Sequence, residues 1–165
     1  MDQCIKSIES LLIANNYKKH KRFFYKEGCD FTVVLDIQKS SSSNNENVKM
    51  TINFGLIIKN IDGIIPTDIN VIVKADQCNG KSRIGHLLGK NDWWFLCKRD
   101  QDIKNEKYIY NEILQFLLIC ESIIETKEIY KEKIRKQIFI VKPEYRDLFI
   151  KEMIKIETNN IQINS

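Results

Sequence analysis

Ile5, Ile8, Leu11 and Leu12 recur at helical spacing behind Asp2, whose carboxylate suits a helix N-cap, and predict an opening helix that ends near Asn15 and Asn16. A basic and aromatic stretch follows, Tyr17 to Lys26; its second half reads as a strand and Glu27 to Asp30 as the turn out of it. The period then changes to two. Phe31, Val33, Leu35 and Ile37 alternate with Thr32, Val34, Asp36 and Gln38, and after a serine-rich loop Val48, Met50, Ile52, Phe54 and Leu56 alternate with Lys49, Thr51, Asn53 and Gly55. Two half-buried strands are predicted, paired as a hairpin through a loose polar loop over residues 40–46. Pairing them with their apolar sides together puts Asp36 and Gln38 beside Thr51 and Asn53 on the opposite, polar face.

Asp62, Gly63 and Pro66 supply turn chemistry, and Ile69, Val71 and Val73 predict a further strand. Gly80, Gly85 and Gly89 interrupt the next segment, which reads as an ordered loop or a short turn of helix. Asp92 to Cys97 is aromatic enough for a closing strand, on which the neighbouring Trp93 and Trp94 must point to opposite faces. From about Asn105 the period is helical again through Ile109, Ile113, Phe116, Leu117, Cys120 and Ile124. Residues 127–136 suggest a continuation or second amphipathic helix, and Pro143 opens a last one. The pattern predicts a single α+β domain over 1–165. It has an N-terminal helix, an antiparallel sheet of four or five strands within about 20–99, and C-terminal helices within about 105–157 packed on one face.

Composition supports a packed core. At 165 residues, 43% apolar with six Gly and two Pro, the chain can bury enough apolar surface to offset its ordering entropy. No uninterrupted apolar run is longer than Phe116 to Cys120, against roughly 20 residues for a membrane span, and no signal-peptide pattern opens the chain, so a cytoplasmic protein is expected. Five widely spaced cysteines match neither a disulfide framework nor a zinc knuckle and are read as reduced thiols. The net charge of +4 says little about partners, because Lys outnumbers Arg 21 to 5 and Ile reaches 28, a bias of the kind an AT-rich genome produces.

Little in the chain resembles catalytic machinery. Gly80 to Gly85 has the glycine spacing of a phosphate-binding loop, but His86 and Leu87 stand where Lys and a hydroxyl residue are required. The two histidines, His20 and His86, have no partner at zinc spacing, and no nucleophile elbow is present. Asp30, Asp36 and Gln38 followed by Lys39 faintly resemble the strand-borne carboxylates of metal-dependent nucleases, yet Lys39 must face away from Gln38. Lys18, Lys19, Lys21, Arg22 and Lys26 among aromatic residues could contact single-stranded nucleic acid, although lysines closing a helix and aromatics in a strand explain them better. The mixed charges over 127–136 read as a solvated face. No catalytic residue, metal ligand or cofactor is assigned, and no membrane association is expected.

Tyr17-Lys18-Lys19, Phe24-Tyr25, Ile37-Gln38-Lys39-Ser40, Asn53-Phe54-Gly55, Arg83-Ile84-Gly85 and Asp92-Trp93-Trp94 follow one another in an order and spacing similar to the bacterial domain-of-unknown-function family 4304. The likeness covers roughly residues 5–125, with Asn16 where the family often has glycine. The resemblance implies a small α+β cytoplasmic domain with no established activity. Gln38 and Asn53 share the polar face, Lys39 follows Gln38 at its rim, and Arg83 and one of Trp93 and Trp94 could approach it. Amides, cations and an indole offer fixed hydrogen-bond geometry and flat apolar area without a nucleophile or general base. The expected function is therefore a non-catalytic binding module for a protein partner or polar ligand, for instance an immunity or accessory protein. The alternatives are a metal-dependent nuclease-like enzyme and a single-stranded nucleic-acid binder.

Overall fold

The computed structural model describes residues 3–29, 31–44, 46–58, 75–78, 80–90, 95–98, 103–125, 140–141 and 151. Helix α1 (Gln3–Ala14) buries Ile8, Leu11 and Leu12, the stripe its sequence period requires. Its end is a Schellman reversal. Asn16 adopts φ 65°, Tyr17 N–H donates to Leu12 O at 3.0 Å, and Asn16 N–H donates to Ile13 O at 3.0 Å. The chain then enters the sheet through β1 (Lys18–His20) and β2 (Phe23–Glu27), joined by a two-residue turn in which Lys21 takes φ 53°.

The two long strands β3 (Phe31–Lys39) and β4 (Asn47–Ile58) form the predicted antiparallel hairpin, with Asp36 opposite Asn53 and Gln38 opposite Thr51. The connection is not loose. Ser43 Oγ bridges the Lys49 backbone, donating to its carbonyl at 3.0 Å and accepting from its N–H at 2.9 Å. Asn44 Oδ1 accepts from the N–H groups of Glu46 and Asn47 at 3.0 and 2.7 Å. Short polar side chains here substitute for the missing ladder bonds, as Asx and serine turns do.

The free edge of β4 is shared. Its first half pairs with β6 (Phe95–Lys98) and its second half with β5 (Gly80–Arg83), which pairs in turn with β7 (Ile140–Val141). The sheet is therefore antiparallel and seven-stranded, in the order β1-β2-β3-β4-β5-β7 with β6 beside β4. It exceeds the expected four or five strands by short pieces of two to four residues, whose periodicity is too brief to read. One of them, β5, occupies the segment predicted to be a loop, because Gly80 and Gly85 masked the alternation of Lys81, Ser82 and Arg83. Beyond it lie the short α2 (Ile84–Leu87) and the long α3 (Ile103–Glu125). The predicted strand at Ile69 to Val73, the helices predicted over 127–136 and from Pro143, and Trp93 and Trp94 lie outside the described residues.

Both α1 and α3 pack on the face carrying Val33, Leu35, Ile52, Phe54 and Leu56, so one continuous apolar cluster joins helices and sheet. Phe54 and Phe116 meet edge to face with ring centroids 6.3 Å apart. The second face is not uniformly polar as the alternation suggests. Phe23, Val34 and Ile57 are buried beneath Ala75 and Cys78 of a 3-10 turn (Ala75–Gln77) and its following residue. Cys4 is disulfide-bonded, which corrects the expectation of five reduced thiols; Cys29, Cys78 and Cys120 are free. Distance along the sequence is no guide to distance in the fold, and the wide spacing of the cysteines concealed this one.

Candidate functional site

The second face of the sheet holds rows of side chains fixed by strand register. Phe23, Asp36, Asn53 and Arg83 form one row across β2, β3, β4 and β5. Tyr25, Val34, Gly55 and Lys81 form the next, and Gln38 stands beside Thr51 on the other side. The 3-10 turn presses on the Gly55 row so closely that a Cβ at residue 55 would lie 2.6 Å from Cys78 Sγ and 2.7 Å from the Ala75 carbonyl. This cover stops short of Asn53. Beyond it lies a cavity of about 740 Å³ over the Asp36, Gln38 and Asn53 end of the face.

Asn53 Nδ2 donates to Gln38 Oε1 at 3.0 Å, which ties the two central strands and sets the orientation of both amides. The Gln38 amino group, one Asn53 N–H and the Asn53 oxygen keep hydrogen-bonding capacity after that bond is made. Arg22 reaches the cavity from the β1–β2 turn, Lys81 and Arg83 from alternate positions of β5, His86 from α2 and Asp76 from the 3-10 turn. Among the described residues, the side chains of Arg22, Lys81, His86 and Asp76 make no hydrogen bond or ion pair. Counting Lys39, the lining carries four formal positive charges from Arg22, Lys39, Lys81 and Arg83 and two negative ones from Asp36 and Asp76.

Four of the site residues predicted from sequence, Gln38, Lys39, Asn53 and Arg83, thus border one cavity. Lys39 is the least central, since the pleat turns its side chain toward the Met50 side of the hairpin. Trp93 and Trp94 lie outside the described residues. Asp76 and Lys81 escaped the sequence reading, and Arg22 and His86, noted there in other connections, were not placed at this site. Lys81 was recoverable, because Gly-Lys-Ser-Arg is an alternating pattern that places Lys81 and Arg83 on one side; the others depend on where turns land in the fold.

The basic stretch before β2 is differently employed. Lys19 Nζ pairs with Glu9 at 2.9 Å, Lys26 Nζ with Glu121 at 2.7 Å and Lys18 Nζ with Glu27 at 3.5 Å. The same three ammonium groups lie 5.5 to 5.8 Å from the ring centroids of Phe24, Tyr17 and Tyr25. Lys19 and Lys26 thereby fasten the sheet to α1 and α3, and Lys18 ties β1 to β2. A second, more apolar groove of about 510 Å³ runs between α1 and α3 past Ile8, Leu11, Tyr110 and Ile113. Among the described residues no three His, Cys, Asp or Glu side chains converge as metal ligands, and no helix is long and apolar enough to cross a membrane.

Fold and site together define an α+β domain built on one antiparallel sheet, with helices on one face and a polar cavity on the other. The family model for the domain of unknown function DUF4304 matches residues 8–118, from within α1 to within α3, and the chain belongs to that family. The match includes every cavity residue named above. Comparison with curated proteins and with solved structures finds no match.

Proposed function

We propose that this protein is a non-catalytic binding module that recognises a polar partner or ligand through the cavity on the second sheet face. The observation behind this reading is the Gln38–Asn53 amide pair lining a cavity of about 740 Å³, bordered also by Arg22 and Lys81, whose side chains make no ion pair or hydrogen bond among the described residues. Its size falls within the range of small-molecule sites, roughly 300–1,000 Å³. The lining offers donors, acceptors and charge on regular strands, which hold geometry better than loops. Accessory or immunity proteins use surfaces of this kind against a protein partner, and a projecting polar segment of such a partner would enter the same cavity.

Amide NMR of the full chain titrated with a library of polar fragments tests the reading. Shifts clustered at Gln38, Asn53, Lys81 and Arg83 are expected. A map confined to the α1–α3 groove, around Ile8 and Tyr110, would overturn it, as would fragment-independent hydrolysis of DNA or RNA that stops on Asp36→Ala with the fold intact.

A further inference from the structure

We propose that the cavity takes a small molecule of about mononucleotide size carrying at least two negative charges on oxygen. The proposal rests on the binding-module reading and names its ligand class. The balance of hydrogen-bonding groups points this way. The Arg22 and Lys81 side chains have neither ion pair nor hydrogen bond among the described residues, and guanidinium and ammonium groups donate only. The Gln38 oxygen already accepts from Asn53 Nδ2, so most of what Gln38 has left to offer is the two N–H donors of its amino group. Donors in excess call for a ligand rich in acceptors, and two of those donors are full charges.

Spacing sets the ligand's size. Arg22 directly precedes β2 and Lys81 lies on β5, three strand intervals away, or roughly 14 Å between strand axes. A bare chloride or phosphate would meet one of them, whereas a molecule with separated charges, or a chain of phosphates, meets both while crossing the amide pair. Asp76 then faces the neutral part of the ligand, where its carboxylate accepts from hydroxyl or amino groups. A long nucleic-acid strand is disfavoured, because the lysines that would extend its track, Lys18, Lys19 and Lys26, are paired with Glu27, Glu9 and Glu121.

Calorimetric titration of the full chain at low ionic strength, with ADP, with citrate and with adenosine as the uncharged control, decides the matter. Saturable one-to-one binding of ADP or citrate, but not adenosine, is expected. It should weaken about tenfold or more in the Arg22→Gln/Lys81→Gln double variant, as loss of charge-assisted contacts predicts. It should persist in Lys19→Gln, which removes a cation outside the cavity. ADP alone assigns a phosphate ligand, citrate alone a carboxylate ligand, and both the shared oxyanion chemistry. Absence of saturable binding, or binding that the double variant retains, overturns the proposal. If fragment shifts still map to Gln38 and Asn53 in that case, the binding-module reading stands and only the ligand class falls.

Discussion

Asn16 occupies a backbone conformation that costs any side chain something. At φ 65° it closes the Schellman reversal of α1, and asparagine tolerates this region better than most residues but less well than glycine. Asn16→Gly should therefore raise stability by about 0.5–1 kcal/mol and Asn16→Val lower it by about 1–2 kcal/mol in urea unfolding; equal effects from both would deny the strain. The next residue is under a different stress. The Tyr17 hydroxyl is buried beside Cys120 and Glu121, and burial first, then these two neighbours, push its pKa above the usual tyrosine range. A raised folded pKa means that the folded state holds this proton more tightly than the unfolded chain, whose tyrosine titrates near 10. The contribution is complete below pH ~10 and is lost progressively as pH rises beyond it. Tyr17→Phe cannot ionise, so its stability should decline less steeply between about pH 9 and 11 than that of the natural chain. Parallel slopes in urea titrations across that window would contradict this.

At the scale of elements, β4 does the most. Its twelve residues pair with β3 along one edge and with β5 and β6 along the other, while Gly55 admits the 3-10 turn onto its outer face. Because a methyl group there would press on the Cys78 sulfur and on the Ala75 backbone, Gly55→Ala should cost about 1–3 kcal/mol. Hydrogen exchange should quicken at the Cys78 amide, which now donates to Ala75 O at 3.2 Å. Unchanged exchange would mean that the turn is held by something other than this fit. Legibility in the sequence follows from element length. α1, β3, β4 and α3 repeat their period often enough to be read, and the Asp36, Gln38 and Asn53 face came with them. β1, β5 and β7, of two to four residues, exist through pairing with strands already in place; β1 and β7 have no local pattern to announce them, and the alternation of β5 is short and flanked by glycines. Arg22, His86 and Asp76 were hidden for a related reason: each belongs to a turn or a single helical turn whose position only the assembled sheet defines.

On the scale of the whole molecule the two faces of the sheet have unequal duties. The helix-covered face holds the larger apolar cluster, in which Phe116 of α3 is fully buried against Phe54. The other face is divided between a small apolar patch and the cavity. Truncating Phe116→Ala removes a ring and leaves a void in dense packing, at a cost of about 3–5 kcal/mol. A domain of ordinary stability has only about 5–15 kcal/mol to lose. Gln38→Ala removes one partly solvated amide bond, worth about 0.5–1.5 kcal/mol. Arg22→Gln and Lys81→Gln break nothing internal among the described residues and relieve like charges lining a common cavity, so they should leave stability unchanged or slightly raised. Urea unfolding of these variants side by side measures the contrast directly. If the cavity variants cost as much as Phe116→Ala, the polar face would be stitching for the fold. If only the core variant is costly, the unpartnered cations persist at no structural need, which is the condition a recognition surface meets.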